Sequence, residues 1–238
     1  MERFELISDQ LSWNKCFADK FAACYYIDPR RASMKTMALF RLASFFIAAA
    51  LIVAAIYEAS NRNDFMLYYT HWSLLALMIM CFSGSLTSIF IMQQTYGNII
   101  YIPKHAVVFR TLYNIACTAN IVSTIGYFVI TFTYPNATKK VINHVIHSAN
   151  TLLVLMEVIV NAVPMRLFHV YQPLLYTLAY ATFAYLYHHY TGRAIYKCLE
   201  WEDQRELTKL TIGFIILMFV VYMFLYVISF IKNKMLKL

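Results

Sequence analysis

The run Leu210–Ile231, LTIGFIILMFVVYMFLYVISFI, holds twenty-two residues without one charged side chain. About 20 mostly apolar residues span the hydrocarbon core of a bilayer, so this stretch reads as a transmembrane helix. Working back toward the N-terminus, five more stretches of the same character follow: His169–Tyr190, His144–Val163, Ala106–Phe132, Phe65–Met92 and Met37–Tyr57. Only Pro164–Phe168 separates the fourth from the fifth, which predicts a tight antiparallel pair. A membrane β-barrel would need alternating segments of about ten residues, and these runs are continuous. Composition agrees. Charged residues make up 13% of the 238, and hydrophobic ones 61%, whereas a soluble domain carries about 25% charged residues. Five Gly and five Pro also argue against a loop-rich β protein. The expected fold is all-α: a polytopic bundle of six transmembrane helices in the plasma membrane or endoplasmic reticulum.

The net charge of +8 then marks a membrane face and does not imply a nucleic-acid partner, because Lys and Arg collect on the cytoplasmic side. With the N-terminus inside, that side holds Arg3, Lys15, Lys20, Arg30, Arg31, Lys35, Arg41, Lys104, Arg110, Arg166, Lys232, Lys234 and Lys237. The other keeps Arg62, Lys139, Lys140, Arg193, Lys197, Arg205 and Lys209. Thirteen against seven predicts both termini in the cytoplasm. The organisation expected is a cytoplasmic amphipathic segment over 1–36, a transmembrane domain over 37–231 and a basic tail over 232–238. No signal peptide is visible. In the first segment Phe4, Ile7, Leu11, Trp13, Phe17 and Phe21 recur at helical spacing, which suits a helix lying in the interface or one packed on the bundle. The sequon Asn136-Ala137-Thr138 falls on the outer or lumenal side, close to the membrane. Cys81 and Cys117 lie inside helices, Cys16 and Cys24 on the reducing side, and Cys198 outside without an evident partner, so no disulfide framework is expected.

Topology gathers polar groups at one face. Even-numbered helices start, and odd-numbered ones end, at the outer side. Thr70 and His71 begin helix two, His144 and His147 begin helix four, and His188 and His189 end helix five. Five of the seven histidines therefore share a depth with Thr70; His105 and His169 lie elsewhere. On helix four, His144, His147, Asn150, Thr151, Glu157 and Asn161 fall on one side at about 100° per residue, opposite Val, Ile, Leu and Met. Such a stripe must face protein or water, as a site or as polar glue between helices. Glu157 reads as a structural acid near mid-membrane, or as the wall of a lipid cavity, and Asn161 as glue.

Thr70 has two readings. A membrane threonine commonly bonds the carbonyl one turn back; beside a histidine base it could act as a nucleophile. No G-x-S-x-G elbow is present. Histidines at one depth also raise the question of iron or zinc, but no acidic residue inside a helix shares their face. The expectation is a site without metal or other cofactor.

The segments LFRLASFF, YYTHW, TLYNIACTANIV, NHVIHSAN, VPMRLFHVYQPLLYTLAYATFAYLY and AIYKCLEW, in order from Leu39 to Trp201, resemble the Rolling stone-like family of multi-pass membrane proteins. The most specific parts are Thr70 with Trp72, His147 with Asn150, and Pro164 through Pro173. Glu157 stands where the family has Asp, and Lys197 where it usually has Pro. That family's insect founder is linked to myoblast fusion. The family is in turn similar, more distantly, to the androgen-induced-gene membrane hydrolases, which cleave fatty-acid esters of hydroxy fatty acids with a Thr and a His. By motif these fall on Thr70 and His147. The resemblance implies that His147 takes the proton of Thr70, that Thr70 attacks a fatty ester, and that membrane lipids are the partners. Asn150 would fix the imidazole, and Asn114, Trp72 and His71 are candidate oxyanion donors. The alternative is a non-enzymatic protein of cell fusion or membrane organisation, whose protein partners the sequence does not name.

Overall fold

The computed structural model describes residues 18–27, 30–59, 62–94, 103–133, 141–196 and 204–235. Among them are six long helices: α1 (Arg30–Glu58), α2 (Tyr69–Gln94), α3 (Lys104–Thr133), α4 (Val141–Val160), α5 (Tyr171–Thr191) and α6 (Gln204–Met235). Three short 3-10 turns, Ala18–Phe21, Arg62–Leu67 and Leu167–Val170, complete the regular structure. No strand occurs among the described residues beyond an isolated antiparallel bridge between Cys24 and Asn161. Hydrocarbon offers no hydrogen bonds to a bare backbone, so a spanning chain must satisfy its own N–H and C=O groups helically.

Five helices are long and apolar enough to cross a membrane, over Ala32–Glu58, Tyr69–Gln93, Lys104–Thr133, Val141–Val160 and Leu207–Lys232. The chain is an integral, multi-pass membrane protein. The helix expected as a further span, α5, has 21 residues, about 31 Å at 1.5 Å per residue. Its six tyrosines, two histidines, three threonines and one glutamine keep it out of the apolar set. Counting tyrosine as simply hydrophobic had hidden that difference. Gly192, with φ of 66°, ends α5 in the left-handed conformation and donates its N–H to the His188 carbonyl at 2.8 Å, as glycine does at helix ends.

The helices alternate in direction. At one end of the bundle α2, α4 and α6 begin and α1, α3 and α5 finish; we call this the histidine end. There Tyr180 Oη donates to the Leu67 carbonyl at 2.7 Å, and the Tyr69 N–H donates to Tyr196 Oη at 3.0 Å, tying α5 to the start of α2. At the opposite end α1 starts at Arg30, inside the segment 1–36 expected to precede the membrane domain. Just before it, Phe21 and Ala22 are buried in the bundle. The rest of the amphipathic pattern, Phe4 to Phe17, lies outside the described residues, as do the Asn136 sequon, Cys16 and Cys198.

A close approach at the opposite end depends on Gly84. A Cβ there would lie 2.6 Å from the Phe109 ring and 2.9 Å from Arg41 Cδ, both on fully buried side chains. Overfilling a packed site costs about 1–3 kcal/mol. Gly84→Ala is therefore expected to lower the unfolding temperature of the detergent-solubilised protein; a melting curve like that of the wild type would disprove the packing argument.

Candidate functional site

The stripe on α4 faces protein, as its pattern required. His147, Asn150, Glu157 and Asn161 are buried, while Val145, Leu152, Met156 and Ile159 on the other side are exposed. Burial favours partners for these groups, and α3 supplies those of Asn150 and of the His147 carbonyl. Asn150 Nδ2 donates to Asn120 Oδ1 at 3.2 Å, and Asn120 Nδ2 donates to the Ser73 carbonyl on α2 at 2.8 Å. The Thr124 hydroxyl lies 3.1 Å from both Asn150 Oδ1 and the His147 carbonyl. Thr151 donates to Thr124 Oγ1 at 2.9 Å. The result is a polar seam joining α2, α3 and α4. Asn150 is engaged by α3 and makes no hydrogen bond to the His147 ring among the described residues.

Thr70 sits beside this seam, and its hydroxyl, like those of Thr124 and Thr151, is engaged across helices. Seven helical threonines, at positions 87, 111, 118, 131, 182, 191 and 211, donate to the carbonyl four residues back. The two carbonyls one turn before Thr70 each accept a hydrogen bond from another side chain. Met66 O accepts the Trp72 indole N–H at 2.7 Å, and Leu67 O accepts the Tyr180 hydroxyl. Instead, Ser123 Oγ on α3 donates to Thr70 Oγ1 at 2.9 Å. One of the two lone pairs of Thr70 Oγ1 thereby accepts from the neighbouring helix, and its own proton has no acceptor among the described residues.

Three histidines border the same region. His71 Nδ1 bonds the Phe65 carbonyl, and its ring stacks on the Phe65 ring at 4.0 Å with an interplanar angle of 8°. His147 stacks on Tyr127 at 4.1 Å, and His144 meets the edge of the same tyrosine at 5.4 Å. The imidazoles of His71 and His144 are close enough to that of His147 to interact with it electrostatically. His147 Nδ1 and Tyr127 Oη are buried without a hydrogen-bond partner among the described residues. His189 instead stacks on Tyr185 of its own helix and is exposed. Among the described residues, no three His, Cys, Asp or Glu side chains could hold one metal ion.

The candidate oxyanion donors are otherwise employed. The Trp72 N–H is held by Met66 O. Asn114 Nδ2 donates to Gln172 at 2.8 Å, and Asn114 lies nine residues before Ser123, about 13 Å along the helix. His71 uses its Nδ1–H on Phe65. The Tyr127 hydroxyl is an unengaged buried donor at this end among the described residues. Ser123, Thr124 and Tyr127 also escaped the sequence reading, although Asn120, Ser123, Thr124 and Tyr127 recur at helical spacing within an apolar run.

A second polar centre lies at the opposite end. Arg41 Nε and Nη2 each approach Glu157 Oε1 at 2.9 Å, with both side chains almost wholly buried. Arg41 Nη1 donates to Phe21 O, Gly84 O and Ser88 Oγ, and the guanidinium lies 4.2 Å from the Phe109 ring centroid. Asn161 Nδ2 donates to Glu157 Oε1 at 3.2 Å, so Asn161 does act as glue. Lys232 Nζ donates to the Val158 and Asn161 carbonyls. Glu157 is one turn from the end of α4, which closes at Val160. The sequence reading had placed Arg41 among the basic flanks; its position four residues inside an apolar run was the overlooked signal.

Between α4 and α5, His169 is buried in the Leu167–Val170 turn. Burial first, and then the charges of Arg110 and Arg166, lower its pKa to about 4. An unfolded chain binds that proton near pH 6.5, so stability falls as pH drops from about 6.5 toward 4. The unfolding temperature in detergent is expected to decline over that window, and to decline less in His169→Gln. Equal slopes in both proteins would refute this.

Two shallow apolar grooves open beside the histidine end. One, of about 500 Å³, runs between the end of α1 and Ile142; the other, of about 360 Å³, runs along α4 from Leu152 to His144. No protein-family model, curated protein or solved structure matches the chain.

Proposed function

We propose that this chain is a membrane-embedded hydrolase of amphiphilic lipid esters, with Thr70 as nucleophile and the histidine-end imidazoles of His147 and His71 as its acid–base partners. The observation that carries this is the Thr70 hydroxyl, held by Ser123 from another helix while its own proton has no acceptor among the described residues. In the reaction Thr70 Oγ bonds to the ester carbonyl carbon as an imidazole takes its proton. Collapse of the oxyanion breaks the ester C–O bond, and the imidazole returns the proton to the departing alkoxide. Water repeats the sequence on the acyl-threonine and releases a fatty acid. Ester carbonyls of such lipids sit near the boundary of the bilayer, the depth of the histidine end. Both termini are placed in the cytoplasm, with α5 as the sixth span, and the site faces the outer or lumenal leaflet. Arg41, Arg110, Arg166 and Lys232 are buried, which leaves the basic residues nine against seven in favour of that orientation.

The deciding experiment is labelling of the purified protein by a fluorophosphonate probe, with the modified residue located by mass spectrometry. Labelling at Thr70 supports the proposal, and folded protein that stays unlabelled rejects it. A second reading, a non-enzymatic protein of cell fusion or membrane organisation, draws on the seam from Ser73 to Thr151, whose hydrogen bonds suffice to hold three helices together. It requires Thr70 and His147 to be replaceable.

A further inference from the structure

We infer that the end of the bundle opposite the histidines binds anionic lipid headgroups, through a rim of lysines made by Lys20, Lys35, Lys104 and Lys234. The inference stands apart from the hydrolase reading and uses none of its residues. It begins with charge. By helix direction, the stretches up to Arg41, from Lys104 to Arg110, from Glu157 to Arg166 and from Lys232 to Lys237 belong to this end. Together they hold thirteen Lys and Arg against six Asp and Glu. The stretches of the histidine end hold seven against six. Nearly all of the net charge of +8 therefore belongs to one end.

The fold divides these cations into two sets. Arg41, Arg110, Arg166 and Lys232 are buried. Arg41 is held by Glu157, and Lys232 by the carbonyls of Val158 and Asn161, so neither is offered to a ligand. Lys20, Lys35, Lys104 and Lys234 are exposed. Three of these share one geometry. Lys35 stands four residues before Leu39 on α1, Lys104 four before Val108 on α3, and Lys234 four after Phe230 on α6. Residues four apart lie on the same face of a helix. Leu39, Val108 and Phe230 are 67%, 53% and 53% exposed, and exposed apolar side chains of a spanning helix are those turned to lipid. Each lysine thus stands on the lipid side of its helix, one turn or about 6 Å outside an apolar contact with hydrocarbon. From there a lysine stem lies along apolar surface while its ammonium reaches the headgroup layer. Lys20 adds a fourth cation from the chain just before α1, beside Phe21, whose carbonyl Arg41 holds at 2.9 Å. Tyr26, 55% exposed, is an aromatic group of the kind that sits at the same depth.

This placement selects the partner. A soluble acidic protein would be met by cations crowning the helix ends. These lysines stand instead on the flanks of three separate helices, where the headgroups of neighbouring lipids lie. Every phospholipid offers a phosphate there, but a surplus of seven positive charges favours headgroups with a net negative charge, such as phosphatidylserine. Such lipids collect in the cytoplasmic leaflet, the side to which both termini are assigned above.

The test reconstitutes the full chain in phosphatidylcholine bilayers. It compares how much spin-labelled phosphatidylserine and how much spin-labelled phosphatidylcholine the protein immobilises. The wild type should prefer phosphatidylserine by about fivefold, the ratio that one lysine near the headgroups supplies. That preference should vanish in about 1 M salt, where screening is nearly complete. Combining Lys20→Gln, Lys35→Gln, Lys104→Gln and Lys234→Gln should abolish it in low salt, whereas Arg193→Gln with Arg205→Gln, at the histidine end, should leave it intact. The salt series needs no substitution, so it decides the question if the fourfold variant does not fold. Equal immobilisation of both lipids by the wild type overturns the inference and leaves the basic end to a soluble acidic partner. A preference that survives high salt or the fourfold variant, or that is lost in the control variant, overturns it as well. Labelling at Thr70 bears on none of these outcomes.

Discussion

Arg41→Ala is expected to destabilise the protein by about 3–5 kcal/mol, the range for removing one partner of a buried ion pair. Total stabilities are only about 5–15 kcal/mol, so the variant should give little monodisperse protein after detergent extraction. The physical reason is that Arg41 and Glu157 have almost no contact with solvent. Without the guanidinium, Glu157 keeps the Asn161 amide at 3.2 Å and Lys232 nearby, but loses both contacts of 2.9 Å. Phe21 O, Gly84 O and Ser88 Oγ lose a donor at the same moment. These last bonds tie α1 to α2 and to the chain just before α1, so damage should spread beyond the pair. Arg41→Lys should not restore the wild type, because one ammonium cannot reproduce a planar fork reaching four acceptors. Exchanging both partners for apolar residues, Arg41→Met with Glu157→Leu, removes both buried charges and should recover part of the loss. Size-exclusion profiles and melting curves of the four proteins check this. Wild-type behaviour in Arg41→Ala would show that the pair contributes nothing.

Thr70→Ala is expected to abolish fluorophosphonate labelling and to lower ester turnover by on the order of 10⁴-fold or more, the scale of removing a nucleophile from a concerted group. Its effect on folding should be small. The variant loses one hydrogen bond, from Ser123, a change of about 1 kcal/mol, and Ser123 retains access to carbonyls of its own helix. Activity and stability therefore separate cleanly, which makes the variant informative. Thr70→Ser keeps the hydroxyl and should retain labelling. Ser123→Ala leaves the nucleophile in place but loose, with an expected loss of about tenfold. Undiminished turnover in Thr70→Ala would end the hydrolase proposal and turn effort to fusion assays, the ground of the non-enzymatic reading.

The candidate site was only partly legible in the sequence. Thr70, His71, His144 and His147 could be placed at one depth, because a helix that crosses the bilayer fixes the height of each residue at 1.5 Å per position. The burial of His147, Asn150, Glu157 and Asn161 could be anticipated, because an apolar face must point at lipid and a polar one away from it. Partners could not. Asn150 was expected to hold His147 from one turn away, yet it reaches across to Asn120 and Thr124. Trp72 was expected to face a substrate, yet its N–H is satisfied by Met66 O.

What the sequence by itself determined is the set of long apolar helices and the angular side of α4 that must be covered. Both follow from the cost of exposing peptide and polar groups to hydrocarbon, which acts on each segment alone. The tertiary structure decided that Arg41 meets Glu157 across 116 residues of chain and that Ser123 holds Thr70. It also decided that Phe65 aims His71. A buried polar group must find a partner, but which one it finds depends on the rotation and offset of neighbouring helices. Those are set by packing such as that of Gly84 against Phe109, and no periodicity within a single helix records them.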